Sequence, residues 1–339
     1  MKTYEITIKP LSGFGTSLKG DTLFGHICWQ AAYDKGLFGK SIDELLADYA
    51  TNPFLIISTA YPKLQDCHVF KRPDLPLDSL FNFGEIGKAE KIRQRKKYKA
   101  KKWMLIKERI NSLKAADLYV SDKELFERII KTTPEDTQRI IRKKGVKSFM
   151  SDYSQSHNTI NRLTGTTGEG AFAPYAVEQA VYAPDSELVI FAGIRDGVSP
   201  EKFKTALQRI GETGFGKDAS IGLGKFNVGI VKDIDLAAIG TDKPNACYTL
   251  SPSVPNKGAF SEIFFSPFTR FGRHGDVLAK SKNPFKNPVI MADEGAILVP
   301  HCDKGGMGGF DVSQRPYIGA AVKNISLAEP NAVVQGYSL

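Results

Sequence analysis

A chain of 339 residues, 42% apolar and 24% charged, can bury a sizeable core in one large or two medium domains. No apolar run reaches the roughly 18 residues that a bilayer-spanning helix needs. The net charge of +9 favours polyanionic partners, and it is concentrated: Lys88–Arg109 holds eleven Lys or Arg against two Glu, a local surplus of 11 − 2 = +9 that leaves the rest nearly balanced.

The first residues, Lys2–Ile8, alternate at strand period and carry Glu5, unlike a signal peptide. Cys28, Cys67, Cys247 and Cys302 lack CxxC spacing, and read as thiols of a reducing, cytoplasmic compartment with neither a disulfide framework nor a zinc site. Residues 3–9 form a predicted strand. After the loop Pro10–Gly20, Asp21-Thr22 opens a helix whose apolar positions Leu23, Ile27 and Ala31 recur at i, i+4, i+8. Ser41 and Glu44 mark a capping box on a short helix over 41–50, and Phe54–Ala60 has the composition of a buried strand. Regularity then lapses for about 125 residues on the apolar-periodicity criterion. This region holds Arg72-Pro73, the basic tract, a charged helical stretch at 121–144 and the polar segment Ser151–Gly170. A strand returns at 187–194. A helix follows, with Ser199 as N-cap, Pro200 at its first position and Phe203, Leu207 and Ile210 on one face; a glycine-rich loop and a strand over 225–234 complete the series.

With residues 63–185 set aside as an insertion, the order is β-α-β-β-α-β, so an α+β, ferredoxin-like (RRM-like) domain is expected over residues 1–240. RRM folds commonly present RNA on their sheet or on adjoining loops. Residues 245–339 are expected to form a smaller β-rich unit, with strands at 246–254, 296–300, 317–326 and 332–337, as a possible second ferredoxin-like domain.

The glycine-rich loop, Gly214-Phe215-Gly216-Lys217-Asp218-Ala219-Ser220-Ile221-Gly222-Leu223-Gly224 followed by Lys225, has GxG-x5-GxG spacing. Glycines let backbone amides approach a phosphate, and Lys217 and Lys225 supply countercharge. It follows a helix and precedes a strand, the reverse of a Rossmann fingerprint, so a nucleotide cofactor is not expected. The run Ser156–Thr167, with His157, Asn161 and Arg162, lacks apolar periodicity, and no nucleophile or second base stands near His157 at a recognisable spacing. Arg270 and Arg273 flank Phe271 and Gly272 in a loop suited to gripping phosphate oxygens. In the basic tract, Tyr98 and Trp103 either stack on bases or anchor the segment to the core. Gly305–Phe310 reads as a mobile hairpin tip. No P-loop, HExxH or GxSxG motif is present.

Leu18–Trp29, His157–Arg162 and the glycine-rich loop together resemble the RAMP superfamily of CRISPR effector proteins. The likeness is greatest to the Cas-five-type subunit of type III-A (Csm) complexes, which binds the crRNA 5′ tag. It spans most of the chain and is weakest over 85–150. The resemblance implies a non-catalytic RNA-binding subunit with no cofactor, joining the large signature subunit to the backbone RAMP subunits in antiviral defence. It sets crRNA against Lys19, Gly214, Gly216, Lys217, Ser220, Gly222, Gly224 and Lys225. It makes the insertion with His157, Asn161 and Arg162 a thumb near the first guide–target pairs, so that target RNA is met indirectly, and it matches Arg270 and Arg273 only loosely. Two alternatives come from the same superfamily: a crRNA-processing endoribonuclease, whose histidine His26 could mimic although its neighbours Phe24, Ile27 and Cys28 suggest burial, and a target-RNA-cleaving backbone subunit. The position of the glycine-rich loop, 115 residues before the end (339 − 224), disfavours the processing enzyme.

Overall fold

The computed structural model describes residues 1–49, 52–110, 112–241, 244–255, 260–274, 279–282 and 284–300. The first half of the core is β1 (Lys2–Pro10), α1 (Gly20–Tyr33), α2 (Ile42–Leu46) and β2 (Leu55–Ile57). The insertion holds β3 (Tyr61–Pro62), β4 (His68–Lys71), α3 (Leu77–Leu80), α4 (Lys88–Lys99), β5 (Lys101–Ile106), β6 (Tyr119–Ser121), α5 (Asp122–Thr132), α6 (Glu135–Lys144), β7 (Met150–His157) and β8 (Tyr175–Tyr182). The core resumes with β9 (Leu188–Ile194), α7 (Pro200–Thr213), β10 (Phe226–Asp233) and α8 (Leu236–Ile239). Short strands follow: β11 (Cys247–Tyr248), β12 (Phe260–Phe264), β13 (Pro267–Arg270), β14 (Val289–Ala292) and β15 (Ile297–Pro300).

The main sheet runs β10-β1-β9-β2, antiparallel throughout, with β3 also paired to β9. Numbered within the βαββαβ core, that order is 4-1-3-2, the ferredoxin-like arrangement expected from the sequence, and the fold is α+β. Central β9 is buried along its whole length, because both of its faces are covered. Leu188, Ile190 and Ala192 join Ile6 and Ile8 of β1 against Leu23, Phe24, Ile27 and Ala31 of α1 and Phe203, Leu207 and Ile210 of α7. Its other face, through Val189 and Phe191, meets Tyr61, Phe70, Met104, Tyr119, Tyr248 and Ile297.

That second layer is where the structure departs from the sequence reading. The supposedly irregular middle is ordered: β4-β5-β6 form a sheet whose Phe70 and Met104 face the core, while Val69, Leu105 and Val120 pack with Leu125, Phe126 and Ile129 of α5. The helical stretch 121–144 is two helices, broken at Thr133-Pro134 where proline offers no amide. Residues 54–60 give only the three-residue β2 before the chain bends into β3. The Ser41–Glu44 capping box is present, on a helix shorter than expected.

In the region after 245, β11, β15 and β12 form one sheet and β13–β14 another, with no α-helix among its described residues. The expected strand at 246–254 is reduced to Cys247–Tyr248 and a bridge from Ser253 to Ala292. The strands expected at 317–326 and 332–337, the glycine run 305–310 and Cys302 lie outside the described residues. Among the described residues no helix is long and apolar enough to cross a membrane.

Candidate nucleic-acid interface

An RRM stacks bases on the sheet face that its helices leave open. Here that face is closed. Phe191 packs on Phe70 at 5.6 Å between ring centroids, Phe70 on Tyr61 at 5.3 Å, and the Tyr61 and Tyr248 hydroxyls donate to the carbonyls of Leu250 and Lys71 at 2.9 and 2.6 Å. Burial pushes both phenols well above their ordinary pKa. That face is therefore closed to base stacking.

The glycine-rich loop stands on two buried feet with an exposed crown. Gly214, Phe215, Leu223 and Gly224 are buried, whereas Lys217, Ser220, Ile221 and Lys225 are exposed. The feet touch through the Phe215 amide, which donates to the Gly224 carbonyl at 3.0 Å. A Cβ on Gly224 would stand 2.1 Å from the Phe215 carbonyl oxygen, and its φ of +74° is left-handed, so glycine is required there. The expected cradle of phosphate-facing amides is largely spent inside the protein. Gly216 donates to His26 Nε2 at 3.2 Å, Lys217 to Thr16 Oγ1 at 2.9 Å, Gly224 to the Gly13 carbonyl at 2.7 Å and Lys225 to Ser12 Oγ at 2.9 Å. What the crown presents to a ligand is the side chains of Lys225 and of Lys217, whose ammonium stands 3.6 Å from the Asp218 carboxylate, and the Ser220 hydroxyl.

These contacts make a brace of Leu11–Leu18, which lies within the loop expected over Pro10–Gly20. It braces the glycine-rich loop through Ser12, Gly13 and Thr16. Between them, Phe14 exchanges backbone hydrogen bonds with Ala180 of β8 at 2.8 and 2.9 Å. Gly13 lies against the Gln179 side chain so closely that a Cβ would meet it at 1.9 Å. The alternation of Gly13 and Gly15 with Ser12, Thr16 and Ser17 was the signal for such a brace.

The polar run with His157 is one arm of a ribbon. β7 and β8 pair in eight-residue register from Met150–Tyr182 to His157–Tyr175, and the side chains of β7 are exposed apart from His157, which is half-buried. At ~3.4 Å per residue the paired arms span roughly 27 Å. Paired backbones need no apolar face to satisfy their hydrogen bonds, so the segment shows no hydrophobic periodicity. His157 stacks on Tyr175 at 5.4 Å. Asn161 shapes the tip: its side chain accepts from Leu163 N–H at 2.9 Å. Arg162 is exposed, and so are Ile160 and Leu163, an apolar pair at the tip that the sequence reading passed over.

Two other candidates turn inward. Lys19 bonds to Asp293 and, at 3.0 Å, to Glu294; burial opposes its charge, but the two carboxylates outweigh it and raise its pKa. Arg270, in β13, grips Asp21 bidentately at 2.6 and 2.9 Å. Both therefore fasten β13–β14 to the start of α1, and neither side chain is displayed to RNA. Arg273 is exposed beside Phe285 and donates to the Ala279 carbonyl at 3.2 Å.

His26, the histidine a processing nuclease would use, lies under Phe215 with a ring separation of 4.8 Å. Burial lowers its pKa to about 4, and its Nε2 is occupied by the Gly216 amide. Among the described residues no three metal-ligating side chains converge.

No family model matches the chain, and no curated protein matches it by sequence. Solved structures do match in fold. A chain of the Csm3-Csm4 subcomplex in the type III-A CRISPR-Cas interference complex aligns with a TM-score of 0.52 at 16% identity, covering 89% of this chain and 93% of that one. Chains of the Csm1-Csm4 cassette align likewise: with AMPPNP, TM-score 0.51, 14% identity, 91% and 94% covered; with pppApA, 0.50, 16%, 88% and 87%. Csm4 is the component common to these three descriptions. The chain thus shares its α+β fold with chains of solved type III-A CRISPR complexes.

Proposed function

We propose that this chain is a non-catalytic RNA-binding subunit of a type III CRISPR effector complex. It holds the 5′ tag of the crRNA and bridges the large signature subunit to the backbone RAMP subunits, with target RNA met only indirectly. The observation that carries this reading is the brace Leu11–Leu18, which ties the exposed crown of Lys217, Ser220 and Lys225 to the base of the exposed ribbon bearing His157 and Arg162. One rigid support thereby aligns a cationic loop, suited to a strand's phosphates, with a projecting arm suited to a neighbouring duplex. The fold shared with Csm-complex subunits supports the same assignment. A neutral, hydrogen-bonded His26 supports a binding role over RNA processing.

The purified chain, mixed with labelled repeat-derived RNA, should bind it and leave it intact. Replacing Lys217 and Lys225 together with Ala should lower affinity and flatten the salt dependence by roughly 1.5 in log–log slope, at ~0.7 per single-strand phosphate contact. An unchanged slope would remove the loop from the interface. Metal-independent cleavage lost in His26→Ala would replace the proposal with the nuclease reading.

A further inference from the structure

The basic tract is not absorbed by the tag-holding site. Its first half is α4, a helix with no buried residue, in which only Gln94 and Tyr98 are half-buried and every Lys and Arg is exposed. An amphipathic stripe does not hold it in place. It is anchored at one end: Tyr98 stacks flat on Phe81 at 4.2 Å and 8°, and the Arg72 guanidinium bonds the Tyr98 carbonyl at 2.9 Å. Trp103, just beyond, donates its indole N–H to Asp122 at 2.8 Å. Both aromatics of the tract therefore serve as anchors, and neither is displayed for base stacking.

The charges are arranged for a polyanion. Arg95 pairs with Asp78 at 2.8 Å and Arg93 stands 3.8 Å from Glu90, whereas Lys88, Lys96, Lys97 and Lys99 have no carboxylate partner among the described residues. Like charges lie three or four positions apart at Lys88/Lys91, Arg93/Lys96, Arg93/Lys97, Arg95/Lys99 and Lys96/Lys99, spacings that repel on a helix. An external row of negative charge relieves that repulsion. A protein partner would need an apolar centre to its contact, and the helix offers only Ile92, 60% exposed, as a large apolar group. Single-strand binders that grip bases use exposed aromatics, which are missing from this face.

We propose that α4 is a second nucleic-acid surface, which contacts the phosphate backbone of an RNA or DNA strand through Lys88, Lys96, Lys97 and Lys99 without reading its bases. This surface is separate from the glycine-rich loop and does not depend on the tag-holding reading. Phosphate is the shared chemistry of single-stranded RNA, duplex RNA and duplex DNA, so all three serve as probes.

The test uses the full chain with the four lysines replaced together by Ala, and a second variant with Gln in their place. Labelled probes of about 20 nucleotides in each of the three forms are titrated between roughly 50 and 200 mM salt. These side chains bury nothing and repel one another, so circular dichroism should match the wild type and Tm should not fall. Affinity for at least one probe should fall about ten-fold or more, with a log–log salt slope shallower by about three to four. Scrambling the probe sequence should change nothing, and the decrement should persist in a Lys217→Ala/Lys225→Ala background. The probe form that loses most identifies the ligand. Wild-type affinity and slope on all three probes would overturn the proposal. So would a loss confined to one sequence, or a variant that loses a protein partner while its salt slopes stay intact.

Discussion

By residue type alone His26 resembles the histidine of a processing nuclease, while its apolar neighbours Phe24, Ile27 and Cys28 point to burial. In the structure it is largely buried and accepts the Gly216 amide. Burial lowers its folded pKa to about 4, from an ordinary value of 6.5. Between those values the unfolded state binds more protons than the folded one, so stability should fall as pH drops through that window, by about 2 kcal/mol once residual solvent contact is allowed for. His26→Gln keeps an acceptor that does not titrate, and should flatten this part of the stability–pH curve in urea titrations. An identical curve in both proteins would mean that another group is responsible. Glycines of the same loop also differ in what they do. A Cβ on Gly224 collides with the Phe215 backbone, whereas one on Gly222, at φ +99°, meets open space. Gly224→Ala should cost about 3 kcal/mol or more, from overpacking added to left-handed strain, and Gly222→Ala about 1 kcal/mol, from strain alone. Comparable unfolding midpoints for the two variants would contradict that division.

At the level of elements, legibility followed burial. Helices α1 and α7 and strands β1 and β10 were readable because each turns apolar residues onto a core at its own period, and β9 because it is a continuous apolar run covered on both faces. The β7–β8 ribbon was not, because its stability comes from paired backbones and an anchored base, neither of which leaves a hydrophobic pattern. Strands β4, β5 and β6 were hidden by shortness and by the charged residues around them, although Phe70, Met104 and Tyr119 are wholly buried. The candidate site divides in the same way. Glycine spacing marked the loop from the sequence, but which amides remain for a ligand depended on Ser12, Gly13, Thr16 and His26, up to 213 positions away.

Across the whole molecule, the region after 245 is joined to the core by charge as well as by apolar packing. Lys19, from the loop before α1, and Lys71, at the end of β4, converge on Asp293 and Glu294, and the Arg270–Asp21 fork lies beside the same helix. Burial raises the Glu294 carboxyl, while bonding from Glu294 and the charges of Lys19 and Lys71 overcome the burial of Asp293 and bring it down to about 2. Lys19→Met should leave the poorly solvated Asp293 carboxylate and its hydrogen-bonded Glu294 partner with Lys71 as their cation, and destabilise the fold by about 3 kcal/mol. Adding Asp293→Asn and Glu294→Gln should restore most of that loss, since the penalty belongs to unpaired charge and not to lost volume. Denaturant melts of the single and triple variants measure the difference, and no recovery in the triple variant would point to packing instead.

From the sequence alone came the βαββαβ order, the glycine-rich loop, the localisation of positive charge and the resemblance to CRISPR RAMP proteins. The first three are carried by local periodicity, spacing or composition, and the resemblance by the segments Leu18–Trp29, His157–Arg162 and Gly214–Gly224. Only the tertiary structure decided that the open face of the sheet is closed, that Lys19 and Arg270 are spent on internal carboxylates, and that one short brace joins loop to ribbon. Those outcomes rest on contacts between residues far apart in the chain, where desolvation and pairing determine whether a charge or an amide remains available to a ligand, and no local pattern records them.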